Sequence, residues 1–403
     1  MKKGWPTKTL GEVCEVFADG DWVESKDQSS EGIRLIQTGN VGEGVFKDRA
    51  EKARYISEAT FKRLRCTEIV EGDCLVSRLP DPVGRSCILP DTGERMITAV
   101  DCTILRFNPK QLLPTFFNLY SQSDDYLTTV AKECTGTTRN RISRSNLGLT
   151  PIPVPPLAEQ QRIVGLLDEA FAGLATAKAN AEKNLQNARA LFESHLQSVF
   201  ADQWQIGELV TLADLATDIT DGDHLPPPKS PTGVPFITIG NIVKETREID
   251  FSDTFMVPRA YFDALKPYKK PRQGDVLYTV TGSFGIPVIV RDDTEFCFQR
   301  HIGLVRPKPD TSSSWLYYLL MSPQLLKQAN DGATGTAQKT VSLKLLRSFV
   351  VPKVSPKQQK QAVEKLDALT AETQRLARLY ERKLAALEAL KKSLLHQAFT
   401  GAL

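Results

Sequence analysis

No stretch of this chain is long and apolar enough to cross a membrane, because charged residues interrupt every hydrophobic run before the roughly eighteen residues that a spanning helix needs. Cysteine is sparse and badly spaced for metal or disulfide work. The seven are Cys14, Cys66, Cys74, Cys87, Cys102, Cys134 and Cys297, an odd number with no CxxC, which argues against a disulfide framework and a structural zinc site. Reduced, mostly buried thiols are expected. Histidine is scarcer still: His195, His224, His301 and His396 are the only four, none has a second histidine at ligand spacing, and ordinary surface or core roles are expected. A GxxxxGK[ST] phosphate loop is missing. So is an Asn/Asp-Pro-Pro-Tyr/Phe run of the adenine methyltransferase type; "HLPPPK" at His224 has the prolines without the acceptor or the aromatic. The opening "MKKGWPTKTLGEV" has two lysines but no apolar region after them, so secretion is not signalled and a cytoplasmic location is expected. Charge of one sign is lacking too. A formal net charge of +3 does not make a nucleic-acid binder by itself, although a near-neutral total can hide a basic face.

What the sequence does have is repetition. Its 403 residues suffice for two or more domains, and its two halves match at a shift of about two hundred residues. "TLGEVCEVFADGD" from Thr9 answers "TLADLATDITDGD" from Thr211, and "IQTGNV" at Ile36 answers "ITIGNI" at Ile237. "EGDCLVS" at Glu71 answers "QGDVLYT" at Gln273, "TGTTRNRIS" at Thr135 answers "TGTAQKTVS" at Thr334, and "PPLAEQQRIVGLLD" at Pro155 answers "VSPKQQKQAVEKLD" at Val354. Ordered matches at one shift mark a tandem duplication. The repeated Asp-Gly-Asp pairs, Asp19 with Asp21 and Asp221 with Asp223, are read as turn residues rather than metal ligands, since acceptor side chains and a glycine suit a tight turn.

Each copy changes character along its length. Residues 1–155 and 201–354 are rich in glycine, proline and short β-type runs such as "IRLIQ", "TILRF", "FITIG" and "PVIVR", and are read as globular α+β domains. Residues 156–200 and 355–403 are read as long helices: proline stands just before each and is absent from Leu157 to Phe200 and from Lys357 to Leu403. Apolar or small residues at Ile163, Leu167, Ala170, Leu174, Ala177, Ala181, Leu185, Ala188, Phe192 and Val199 step by threes and fours, a coiled-coil seam with a stutter. Ala362, Leu366, Leu369, Leu376, Tyr380, Leu384, Leu387 and Leu394 form the second seam, with Thr373 its weak position. A helix of about 44 residues spans roughly 66 Å, too long to pack on its own domain alone. The expected fold is therefore α+β: two tandem globular domains joined by two long helices paired as an antiparallel coiled coil about a pseudo-twofold axis.

At this point the sequence resembles, over its whole length, the specificity (S) subunit of type I restriction-modification enzymes. The resemblance rests on the order of globular domain and helix, on "PLAEQQRI" at the first helix start, on the terminal "AFTGAL", and on a TGT loop ahead of each helix. Lys357 and Lys360 stand where the first copy has Ala158 and Gln161, a departure from the pattern that bears on whether the two helices meet partners equally. The resemblance implies a non-catalytic, DNA-binding protein with two target recognition domains, each reading one half of a split sequence in double-stranded DNA. It implies helices that fix the spacer and dock two modification subunits, and a restriction subunit that completes the nuclease. No cofactor is expected on this chain; S-adenosylmethionine, ATP and Mg are expected on the partners, and no metal site is expected here.

Local composition supports DNA contact. "TTRNRISR" gathers Thr137, Thr138, Arg139, Asn140, Arg141 and Arg144, offering forked guanidinium donors and an amide suited to base edges. Arg78 and Arg85 flank "LPDPVG", which reads as a projecting loop. In the second copy Thr336, Gln338, Lys339 and Lys344 occupy the corresponding stretch, followed by Arg347. Base contacts are expected from arginine, asparagine and glutamine, and phosphate contacts from lysine. Two other readings remain at this stage. A coiled-coil scaffold without DNA contact would explain the helices but not two differing basic loops, and a fused enzyme would need a cofactor or metal motif.

Overall fold

The computed structural model describes residues 4–136, 140–335 and 338–403. The chain divides into two compact units, residues 1–182 with 381–403 and residues 183–380. Each unit takes its globular part from one repeat and its helical part from both long helices.

In the first unit a four-stranded antiparallel sheet runs in the order Cys14–Asp19, Cys102–Phe107, Cys74–Ser77, Ser86–Ile88. Its inner strands are apolar or small almost throughout because both faces are covered. Alternate side chains point to opposite faces: Cys74, Val76, Leu105 and Phe107 enter one core with the helices Pro114–Tyr120 and Asp124–Lys132, while Leu75, Cys102 and Ile104 enter another with Ile36 and Met96. Those last two belong to a five-stranded sheet in which Ile33–Ile36 and Met96–Thr98 pair in parallel.

The second unit repeats this plan. Its four-stranded sheet runs Ala216–Asp221, Ile302–Pro307, Val276–Thr279, Pro287–Ile289, and its second sheet has the parallel pair Val234–Ile237 and Cys297–Phe298. Detail is kept as well as topology. The edge strand bulges at the same place in both, leaving out Glu15 between Cys14 and Val16, and Thr217 between Ala216 and Asp218. A buried aspartate receives an arginine fork in each: Asp73 from Arg106 with both bonds at 2.8 Å, and Asp275 from Arg306 at 2.9 and 2.8 Å.

The long helices are Leu157–Ile206 and Pro356–Thr400. All ten residues of the first expected seam are buried or half-buried, with exposed residues between them. Thr373 is buried too, its hydroxyl donating to the Leu369 carbonyl at 2.9 Å. In the first unit the segments run antiparallel: Ile163 and Leu167 share a core with Leu395, Ala398 and Phe399, and further along Lys178 pairs with Glu388 at 2.7 Å. In the second, Leu196 and Phe200 share a core with Ala362 and Leu366. The first helix runs past the expected end at Phe200 because its last turn is held by packing. Gln203 is buried and accepts from the Trp315 indole at 2.9 Å, and Gly207 closes the helix by donating to the Gln203 carbonyl at 2.8 Å.

The repeated "QQ" now has a physical role. Gln160 is fully buried; its amide oxygen accepts from Leu113 N, and its nitrogen donates to the carbonyls of Gln111 and Pro155, all at 2.8 Å. Gln359 does the same with Ser312 N at 2.7 Å and the carbonyls of Asp310 and Val354 at 3.1 Å. Each amide bolts a helix start to the globular part beside it.

Candidate nucleic-acid interface

Each TGT loop is closed by its own backbone. Thr135 and Arg141 exchange two N–H to carbonyl bonds of 2.9 Å, and Thr334 and Thr340 exchange bonds of 3.0 and 2.8 Å. The glycine between the threonines is required, since Gly136 and Gly335 lie at φ 115° and 116°. A Cβ on Gly335 would stand 2.3 Å from the Gln338 carbonyl oxygen. The final serine caps a short helix: Ser143 Oγ accepts from Asn146 N at 3.0 Å and Ser342 Oγ from Leu345 N at 3.1 Å. Threonine, glycine and serine thus frame the loop, and the residues that differ between copies lie inside the frame.

In the first unit the frame sits on an ion cluster. Arg78 donates to the Val100 carbonyl at 2.6 Å and the Ile142 carbonyl at 3.3 Å, and lies 3.2 Å from Asp19. Arg141 stands 2.7 Å from Asp101, close enough for strong Coulombic attraction though not aligned as a hydrogen bond, and Arg144 is 3.9 Å from Asp19. Arg141 and Arg144 are about half exposed and Asn140 is exposed. Arg78 is only 3% exposed, and burial holds its guanidinium below the usual arginine range.

Arg85, expected on a projecting turn, is 9% exposed. Its guanidinium donates to the carbonyls of Val41 (2.8 Å), Leu79 (2.7 Å), Pro82 (3.0 Å) and Thr38 (2.9 Å). Arg78, tied to two carbonyls and Asp19, braces the loop from within, and Arg85, tied to four carbonyls, braces the turn at Leu79 and Pro82, so neither presents a face to solvent. Thr137, Thr138, Arg139 and Thr336 lie outside the described residues.

The second unit builds the same place from different chemistry. Gln338, Lys339 and Lys344 are exposed. Beneath the loop lies a half-open cavity of about 360 Å³, lined by Asp221, His224, Arg300, His301, Gln338 and Thr340 among others. His224 Nε2 is 2.8 Å from Asp221 Oδ2. Burial and the neighbouring Arg300 push His301 below the ordinary histidine range. A second hollow of about 560 Å³ on the outer edge of strand Ala216–Asp221 carries Tyr268, Lys269 and Arg347, whose guanidinium donates to the Ile219 carbonyl at 2.5 Å. Sequence reading missed Arg300, His224 and His301 as one group because segments far apart in the chain bring them together.

The Asp-Gly-Asp pairs are not tight turns. They carry the edge strand out of the four-stranded sheet: Asp21 N donates to Thr98 O at 2.7 Å and Asp223 N to Phe298 O at 2.9 Å. The glycine permits the approach, since a Cβ on Gly20 would meet Ala99 O at 2.3 Å. Their carboxylates serve the protein itself, Asp21 accepting from Thr67 N at 3.1 Å and Asp223 from the Tyr261 hydroxyl at 2.7 Å. Among the described residues no group of three or more histidines, cysteines or acids is placed to hold a metal ion, and no helix is long and apolar enough to cross a membrane.

Comparison with known proteins agrees with the duplicated plan. The chain is 23% identical over 314 residues to the type I restriction enzyme EcoBI specificity subunit of Escherichia coli, a match covering 70% of this chain and 65%, less than two thirds, of that relative. A solved chain from work on complex assembly and conformational transition of the type I R-M system superposes with a TM-score of 0.79 at 19% identity, covering 100% of this chain and 99% of that one. The HsdS subunit from Thermoanaerobacter tengcongensis gives 0.59 at 20% identity, covering 100% and 98%. At these identities the two structures establish a shared fold. The model of the type I restriction modification DNA specificity domain matches twice, over residues 2–185 and 202–382, and the chain belongs to that family with two copies of its domain.

Proposed function

We propose that this chain is the sequence-reading subunit of a type I restriction-modification complex, with each globular unit reading one half of a bipartite target in double-stranded DNA. The observation that carries the reading is the pair of specificity domains, each with a loop held in the same frame but filled with different side chains. In the first unit Arg139, Asn140, Arg141 and Arg144 supply base and phosphate contacts; in the second Gln338 supplies base contacts, and Lys339 and Lys344 supply phosphate contacts. Arg78 positions the first loop from beneath through the Ile142 carbonyl, and Arg85 braces the neighbouring turn at Leu79 and Pro82. The long helices set the unread spacer and dock two modification subunits, which carry S-adenosylmethionine and methylate the target. A restriction subunit using ATP and Mg completes the nuclease.

The test is exchange of residues 1–155 for the matching segment of another family member, followed by sequencing of the methylated motif in cells that supply the modification subunits. One half of the motif is expected to change while the other stays. A change in both halves, or no methylated motif at all, overturns the proposal. A salt-dependent shift of duplex DNA by the assembled complex separates this reading from a scaffold without DNA contact, because phosphate contacts release counterions.

A further inference from the structure

The two units differ in chemistry just beneath their loops. Strand register makes the positions comparable: Thr103 stands opposite Asp19 in the first unit as Gly303 stands opposite Asp221 in the second. Two residues earlier Asp101 therefore answers His301, and three earlier Val100 answers Arg300. Ser77 and Thr279 likewise hold equivalent places, opposite Cys102 and Ile302, so Arg78 answers Val280. In the first unit Arg78 fills the space under the loop and ties itself to Asp19 and to two carbonyls. Val280 is shorter and apolar, and it lines the cavity of about 360 Å³.

The cavity's polar groups are not equally available. Asp221 is engaged by His224, while Thr340 Oγ1 donates to Thr281 Oγ1 at 3.4 Å. Arg300 and Gln338 are exposed, and neither side chain has a hydrogen-bond partner or ion pair among the described residues. Because burial and Arg300 disfavour the charged form of His301, the guanidinium of Arg300 is the chief cationic donor. It is a planar fork with no acceptor, and the base edge that offers two acceptors at matching spacing is guanine, through N7 and O6.

Resting on the function proposed above, we propose that the cavity beneath the second loop is a guanine seat, in which Arg300 forks onto N7 and O6 of one guanine in the half-site read by the second unit, with Gln338 at its rim. At the equivalent place in the first unit Arg78 is held by Asp19 and two carbonyls.

The test uses the complete complex of this chain with its modification subunits, on its own motif. The half-site of the second unit is the half left unchanged by exchange of residues 1–155. Duplexes carrying 7-deazaguanine at single positions remove one N7 at a time. One position in that half-site is expected to lower the methylation rate about tenfold or more. Arg300→Gln should impose a similar loss on the natural duplex and abolish the effect of 7-deazaguanine at that position alone, leaving sensitivities in the other half-site intact, which also shows that the variant is folded. Arg300→Lys, which keeps the charge without the fork, should behave like Arg300→Gln. The inference is overturned if that half-site contains no guanine, if every 7-deaza effect survives Arg300→Gln, or if Arg300→Lys restores the natural rate, as a phosphate contact would allow. Absence of any methylated bipartite motif would instead bring down the function on which the seat rests.

Discussion

The side-chain amide of Gln160 makes three hydrogen bonds where the first long helix leaves its globular part, and Gln359 repeats them. Replacing Gln160 by leucine keeps most of the volume but strands one N–H and two carbonyls. The expected cost is about 2–4 kcal/mol, measurable as a lowered denaturant midpoint, and Gln359→Leu should behave alike. Buried thiols give a second expectation. Burial pushes Cys14, Cys87, Cys102 and Cys297 up to about 12 and Cys66 to about 11, from an unfolded value of 9.0. A raised folded pKa contributes stability that is complete below pH 9 and is lost as pH climbs toward the folded value, because the unfolded chain releases its protons first. Unfolding followed between pH 8.5 and 10 should show the first unit, with six of the seven cysteines, weakening more than the second. Not every side chain was legible in this way. Gln160 and Gln359 lie in matched strings at the two helix starts, yet spacing alone assigned them no role. Arg85 looked like a surface arginine, since the carbonyls that consume it belong to residues 38, 41, 79 and 82, a convergence that local sequence does not record.

Among the elements, the framed loop makes the sharpest expectation. Gly335→Ala puts a Cβ 2.3 Å from a carbonyl oxygen at a backbone φ of 116°, a strain of roughly 1–3 kcal/mol if the loop kept its shape. Loss of methylation should therefore exceed loss of stability, and comparing methylation rate with thermal unfolding of the variant checks this. The long helices were readable from apolar spacing, because burial on one stripe has a fixed period. Their ends were less so: the turn from Ala201 to Ile206 depends on Gln203 meeting Trp315, more than a hundred residues away. The Asp-Gly-Asp pairs misled in the same manner, since only the second sheet beneath them reveals a strand crossing rather than a turn.

For the whole molecule the testable quantity is the unread gap in the target. Adding four residues between Ala177 and Ala181 lengthens the first helix by about 6 Å and turns it roughly 40° past one full turn, so the seam is nearly restored. With base pairs about 3.4 Å apart along each strand, the methylated motif should gain one or two unread base pairs, or fewer where the partner segment absorbs the change, with both half-sites unaltered. Two added residues turn the seam by about 200° and should abolish methylation. Sequencing the motif in each insertion strain decides between these outcomes. Duplication and helical period made this much of the plan visible from the sequence, whereas the cavity under the second loop was not, because it needs the sheets in place. Two backbone bonds tie Thr334 to Thr340 and Ser342 caps the helix that follows, so under the proposed function drift between those ties can alter the recognised bases without eroding foldability. Twin copies double that freedom, since either can wander while its sibling keeps half of the old address.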